Sequence, residues 1–72
     1  MFKIELIDIG GDGLVGECKT PVETLAEAEI EALWEITRHL QTVDIELIHD
    51  EDLVYEVISG GCSVGAVAIT VL

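Results

Sequence analysis

The sequence predicts an α+β fold, a two-layer sandwich in which one long helix covers one face of a mainly antiparallel five-stranded sheet. Several short segments alternate apolar and polar residues, which is the period of a strand. Glycine-rich or polar turns join neighbouring segments, as in hairpins. One longer segment has the apolar period of an amphipathic helix. The predicted order is β-β-α-β-β-β, and 72 residues predict a single domain over 1–72.

The predicted strands are short and lie close together in the sequence. Residues 2–9 alternate, with Phe2, Ile4 and Leu6 on one face. The other strands are predicted at residues 14–19, 42–48, 53–58 and 64–71, with turns at 10–13, 49–52 and 59–62. For the strand at 53–58 the face toward the helix is ambiguous, because Tyr55 and Val57 or Val54 and Ile58 satisfy the alternation equally well.

The start of the helix has a clear local signal at Thr20-Pro21-Val22-Glu23. Threonine can cap the helix, proline suits the first helical position, and Glu23 can close a capping box. We therefore expect a helix from residue 21 to residue 40 or 41. Its predicted sheet-facing residues are Val22, Ala26, Leu33, Ile36, Thr37 and Leu40, flanked by Leu25 and Ile30.

Charge is the unusual feature of the composition. Fifteen carboxylates face three lysines and arginines, which gives a net charge of −12. Half of the residues are hydrophobic and they are patterned, so a disordered acidic tail is excluded. The sign of the charge argues against direct nucleic-acid binding. The chain shows no signal-peptide pattern and no apolar run long enough to cross a membrane, so a cytoplasmic protein is expected.

The acidic residues are predicted to form three groups. A stripe along the helix has like charges four residues apart, which costs about 0.2–0.5 kcal/mol per pair. The stripe is either a solvated face or a row that meets lysines and arginines of a partner. The stripe is Glu23, Glu27, Glu31 and Glu35; the open sheet face carries Glu5, Asp44, Glu46 and Glu56; and a turn carries Asp50, Glu51 and Asp52.

The sheet face away from the helix is predicted to be uncovered, because one helix covers only one face. It mixes the acids with apolar side chains, which is typical of a binding surface rather than a solvated one. This face either binds a partner or is buried in a homodimer. The apolar members are Ile7, Ile48, Val54 and Ile58.

Two helix residues have alternative interpretations. Glu29 falls within the apolar arc, where an unpaired carboxylate is costly. It either forms an ion pair with Lys3 or Lys19 or lies beyond the sheet edge. Trp34 lies at the border between the apolar face and the acidic stripe, where it either seals the edge of the core or is an exposed hot spot for binding.

No residue pattern indicates catalysis or a cofactor. His39 and His49 have no evident hydroxyl or thiol partner, and few cationic groups are available to stabilise an oxyanion. The segment His49-Asp50-Glu51-Asp52 does not have the spacing of a calcium loop. Cys18 and Cys62 could pair, but two buried thiols are the simpler expectation. The sequence thus predicts a protein that is not an enzyme and needs no metal.

Two functions fit these patterns. An acidic binding module could occupy the basic surface of a nucleic-acid-binding protein, as a nucleic-acid mimic does; small acidic phage inhibitors of CRISPR or restriction systems are an analogy of size and composition. Alternatively, a homodimeric regulatory or immunity- or antitoxin-like module could use the open sheet face. Adaptation of the surface to high salt ranks below both.

Overall fold

The computed structural model describes residues 1–72 and confirms the predicted element order. The elements are β1 Phe2–Ile9, β2 Leu14–Thr20, α1 Leu25–Leu40, β3 Ile45–Glu51, β4 Val54–Ser59 and β5 Cys62–Val71. All five strands form one antiparallel sheet in the order β2-β1-β5-β4-β3. Helix α1 therefore connects the two edge strands and crosses one face of the sheet. No helix in the structure combines the length and the apolar character needed to cross a membrane.

Helix α1 begins later than predicted. Thr24, not Thr20, is the N-cap: its hydroxyl accepts from the Glu27 backbone N–H at 3.2 Å and donates to the Glu27 carboxylate at 2.9 Å. The segment from Thr24 to Glu27 has the same capping-box spacing as the segment from Thr20 to Glu23. Thr20 is instead the buried last residue of β2, where it pairs with Phe2, so it is not available to start a helix.

The core lies between α1 and the sheet. The buried face of α1 consists of Ala28, Ala32 and Ile36, whereas Ala26 is exposed. The predicted face included Ala26 and omitted Ala28 and Ala32, because it was centred on the larger aliphatic residues of the helix. The small side chains of Ala28 and Ala32 let the helix approach the sheet closely. The buried apolar residues are Phe2, Ile4, Leu6, Ile9, Ala28, Ala32, Ile36, Tyr55, Val57, Val67 and Ile69.

The β3–β4 hairpin resolves the ambiguous strand. Tyr55 and Val57 are buried against the helix, so the alternating Val54 and Ile58 lie on the open face. Strand β3 continues to Glu51, three residues beyond the prediction. Asp50 and Glu51 are therefore strand residues and not turn residues, and the turn follows at Asp52, whose φ is 44°.

Two backbone irregularities meet at one end of the sheet. Gly65 in β5 has φ 146°, and a Cβ there would lie 2.7 Å from the Asp8 carbonyl oxygen of β1. Asp8 itself has φ 53°, in a segment where the β1–β2 register shifts. Such bulges bend strands and increase their twist. Here they adjoin a concavity on the open face of the sheet.

Candidate functional site

The acidic row on α1 is shorter than predicted. Glu27, Glu31 and Glu35 lie on successive turns of the helix, about 6 Å apart along its axis. Glu23 lies in the bend before the helix, so it is exposed near the row but is not part of it. Arg38 forms an ion pair with Glu35 at 3.2 Å. Glu27 and Glu31 have no cationic side chain within ion-pair distance.

The acidic row faces the edge of the sheet that β2 forms. Partial desolvation raises the pKa of the Cys18 thiol in β2, and the carboxylates of Glu35 and Glu31 raise it further. Cys18 and Cys62 are both free and both exposed, so the expectation of buried thiols is wrong. Cys18 pairs with Ile4 of β1 and Cys62 lies at the start of β5.

Lys3 partly neutralises the acids of β1 and β2. Its ammonium lies 3.4 Å from the Glu5 carboxylate and 3.9 Å from that of Glu17. Glu5 and Glu17 are direct cross-strand partners. Lys3 lies two residues before Glu5 in the same strand, and its ammonium contacts both carboxylates. It therefore reduces the repulsion of this like-charged pair. Glu5 lies on the open face as predicted, but it is already paired within the molecule.

Two of the predicted sheet-face acids are free of cationic partners. Glu46 pairs with Ile58 and Glu56 pairs with Ile48 across the β3–β4 ladder, on the face opposite the buried Val57. Acidic and β-branched side chains thus alternate on this part of the open face, as the sequence predicted. Ile7 and Ile48 are 42% and 45% exposed there.

Asp44 does not lie in a strand, contrary to the prediction. Asp44 precedes β3, and its carboxylate accepts from the Gly60 backbone N–H at 3.0 Å. Its own N–H donates to the Thr42 hydroxyl at 3.2 Å. These contacts join the α1–β3 loop to the β4–β5 hairpin, so Asp44 has a structural role at the end of the sheet. In this turn the short Thr42 side chain accepts a hydrogen bond from the nearby backbone, as threonine often does in turns.

A shallow concavity of about 480 Å³ lies on the open face beside the two bulges. Asp8, Asp50 and Glu56 are among its lining residues. Asp8 was not among the predicted site residues, because only its irregular backbone brings it there. Glu51 and Asp52 lie in the exposed β3–β4 hairpin and do not join this group. No group of three or more His, Cys, Asp or Glu side chains has an arrangement that could hold a metal ion.

Glu29 lies beside Tyr55 and does not form the predicted ion pair with Lys3 or Lys19. Burial raises the pKa of Tyr55 to about 12, and the adjacent Glu29 carboxylate contributes to the shift. The ring of His49 stacks on Tyr55, with centroids 5.1 Å apart and planes at 25°. The phenol hydroxyl gives the half-buried carboxylate a polar neighbour.

Trp34 is exposed, which contradicts a role in sealing the core. It is 61% exposed and lines a groove with Ile30, Leu33, Thr37 and Val43. Ile30 and Val43 are 53% and 91% exposed. The sequence contained a signal for this groove: once Ala28 and Ala32 are taken as the buried face, the Ile30–Trp34 pair falls on the outer side of the helix.

The surface as a whole carries far more negative than positive charge. Four of the fifteen carboxylates lie within 4.0 Å of a cationic or imidazole nitrogen. They are Glu5 and Glu17 beside Lys3, Glu35 beside Arg38, and Asp12 beside His39. The hydrogen bond to His39 lowers the pKa of Asp12. Lys19 is the one lysine or arginine without an acidic partner. Ion pairs within the molecule therefore neutralise little of its negative charge.

The fold and this surface define a small acidic α+β protein with an uncovered sheet face and an exposed groove on its helix. The chain matches no protein-family model, and no curated protein or solved structure is significantly similar to it.

Proposed function

We propose that this protein is a non-enzymatic acidic binding module that occupies the basic, nucleic-acid-binding surface of a partner protein in the cytoplasm. It would act as a nucleic-acid mimic, in the manner of small phage inhibitors of CRISPR or restriction systems. The observation that carries the proposal is the row on α1, where Glu27 and Glu31 lie one helical turn apart and have no cationic partner.

The physical basis is competition for cationic side chains. Proteins that bind nucleic acids neutralise phosphates with lysine and arginine and release the condensed counterions. Carboxylates on successive helical turns are about 5–6 Å apart, which is comparable to the spacing of phosphates along one strand. A folded row also meets its partner without the ordering cost of a disordered acidic segment. Net charge −12 adds long-range attraction to a basic surface.

Affinity capture from extracts of the native host tests the proposal. The immobilised protein is expected to retain nucleic-acid-binding proteins, which a salt gradient releases and which added duplex DNA or RNA displaces. Each retained protein is then produced pure, and its dissociation constant for the acidic protein is measured at several salt concentrations. Retention that salt and nucleic acid leave unchanged would contradict the proposal.

Matched charge reversals locate the surface. Glu27→Lys with Glu31→Lys is expected to abolish binding to the purified partner. Glu51→Lys with Asp52→Lys changes the net charge equally, but these residues lie in the hairpin at the opposite edge of the sheet from β2. The hairpin variant is expected to lose only long-range attraction. Equal losses in both variants would show that net charge, and not the helix row, drives binding.

A homodimer through the open sheet face is the second candidate. It is favoured by the exposed Ile7 and Ile48 and by the alternating Val54 and Ile58 on that face. Two like-charged faces repel, and salt screens this repulsion. Dimerisation would therefore strengthen with salt, whereas binding to a basic partner weakens. Light scattering over a salt series separates the two, and a monomeric mass at every salt concentration would exclude the dimer.

A further inference from the structure

The groove on the outer side of α1 is an exposed apolar feature of the helix. It is lined by Ile30, Leu33, Trp34 and Thr37, with Val43 of the α1–β3 loop beside them. These side chains are apolar apart from Thr37, and the groove encloses about 250 Å³. None of this apolar surface contributes to the buried core. Folding therefore leaves an apolar site for a contact outside the chain.

Carboxylates border the groove on both sides. At 100° per residue, Trp34 lies about 40° from Ile30 around the helix axis. On the same side, Glu27 lies about 60° and Glu31 about 100° from Ile30. On the other side, Leu33 also lines an adjoining concavity that includes Glu29. None of Glu27, Glu29 and Glu31 forms an ion pair with a lysine or arginine.

We infer that this groove is the docking site for a cationic amphipathic segment of the partner protein. An apolar side chain of that segment would enter the groove against Ile30 and Trp34. Its flanking lysines or arginines would meet Glu27 and Glu31 on one side and Glu29 on the other. A guanidinium could also lie over the exposed indole of Trp34. This inference rests on the proposed function and specifies where, and by which chemistry, the partner is bound.

Charge decides between this occupant and a second copy of the chain. A copy that docked through the same groove would bring the same acidic borders, and like charges placed together cost binding energy. A neutral apolar partner would gain nothing from the bordering carboxylates and would desolvate some of them. A segment that combines apolar and cationic side chains satisfies both parts of the surface.

Two model peptides of equal positive charge test the inference on the intact protein. The first contains leucine and arginine; in the second, serine replaces each leucine. Trp34 is the only tryptophan of the chain, so its fluorescence reports contact with the groove directly. The leucine–arginine peptide is expected to shift the Trp34 emission to shorter wavelength and to bind about tenfold or more tightly than the serine–arginine peptide.

Two variants and a control complete the test, with affinity measured from the anisotropy of a labelled peptide. Trp34→Ala and Ile30→Ala are each expected to weaken the leucine–arginine peptide about tenfold without a change of net charge. Val15→Ala removes an apolar side chain that is even more exposed, from edge strand β2, and is expected to have no effect. Circular dichroism confirms that each variant is folded.

The possible failures are distinguishable. If both peptides bind equally and the Trp34 emission is unchanged, the groove is not the docking site, while acidic binding of cationic segments stands. If neither peptide binds at low salt, both the docking site and the proposed function are wrong. If the emission shift accompanies dimerisation of the protein in sedimentation, a second copy occupies the groove and the inference is overturned.

Discussion

At the scale of single residues, Tyr55 shows how the core holds a polar group. Its ring is buried between α1 and the sheet, His49 stacks on it, and its hydroxyl lies beside Glu29. The sequence predicted that Glu29 would need a partner, because its helical position falls within the apolar arc. It could not identify Tyr55, since the face of strand β4 was ambiguous. Trp34 was ambiguous for a different reason: its exposure depends on which face of the helix packs on the sheet.

The titration of Tyr55 is the first prediction. Its pKa in the folded protein is raised to about 12, so the folded state retains the phenol proton when the unfolded chain has lost it. The stabilisation is therefore complete below the unfolded pKa of about 10 and is lost as the pH rises toward 12. Phenolate absorbance of this single tyrosine measures the pKa directly. Glu29→Gln is expected to lower it, and titration near 10 in the native protein would contradict the buried environment.

The approach of β5 to β1 at Gly65 gives the second prediction. A Cβ at Gly65 would meet the Asp8 carbonyl oxygen at 2.7 Å, and the φ of 146° is unfavourable for other residues. Gly65→Ala is expected to lower the free energy of unfolding by about 2 kcal/mol or more. Gly16→Ala is the matched control, because a Cβ there meets nothing within 4 Å. Denaturant unfolding of both variants tests this, and equal stabilities would show that the contact is not restrictive.

At the scale of the elements, the order of the elements along the chain and the presence of one helix could be predicted because their signals are periodic. The two-residue alternation of β1 and the glycine turns do not depend on tertiary context. The start of α1 could not be predicted, since two segments have capping-box spacing and only the pairing of Thr20 with Phe2 decides between them. The extension of β3 was missed because His49 and Asp50 resemble a polar turn, although the ladder continues through His49 opposite Tyr55.

The cap of α1 gives the third prediction. Thr24→Ala removes the acceptor for the Glu27 N–H and is expected to destabilise the protein by about 0.5–2 kcal/mol. Thr24→Ser keeps the hydroxyl, so its stability is expected to stay close to that of the native protein. Thermal or denaturant unfolding measures both. A serine variant as unstable as the alanine variant would show that the hydroxyl does not act as the cap.

The acidic row gives the fourth prediction, in which stability and binding change in opposite directions. Glu31→Lys places a cation one turn from both Glu27 and Glu35, which replaces two repulsions by two attractions of about 0.2–0.5 kcal/mol each. The variant is expected to be more stable at low salt and to bind a basic partner more weakly. Native binding by this variant would indicate that the row is a solvated face without a binding role. Lower stability would show that the repulsion within the row is not significant.

At the scale of the whole molecule, the charge is a cost that the fold tolerates. Most of the fifteen carboxylates have no cationic neighbour, and such self-repulsion destabilises a compact state. The Debye length falls to about 10 Å at 0.1 M salt, so added salt screens the repulsion. The melting temperature is therefore expected to rise with sodium chloride concentration. A melting temperature that does not depend on salt would show that the charges are too dispersed to affect stability.

The sequence gives the acidity of the molecule directly. It also predicted part of two of the three acidic groups, but not the contacts that their members make. Glu27, Glu31 and Glu35 follow from helical spacing, and Glu46 and Glu56 follow from strand alternation. The contact of Asp44 with Gly60 could not be predicted, because it depends on which turn lies beside the α1–β3 loop. Glu5 was placed correctly on the open face, but its ion pair with Lys3 of the same strand was not predicted. The apolar groove beside the row depends equally on tertiary packing.

The central claim is that the acidic surface competes with nucleic acid for a basic site. A competition titration tests it most directly: a partner captured from the host is bound to labelled duplex DNA or RNA, and the acidic protein is added at several salt concentrations. Mutually exclusive binding is predicted, with an apparent dissociation constant for the nucleic acid that rises in proportion to the added protein and with no such rise for the Glu27→Lys, Glu31→Lys variant. A ternary complex of partner, nucleic acid and acidic protein would contradict the account.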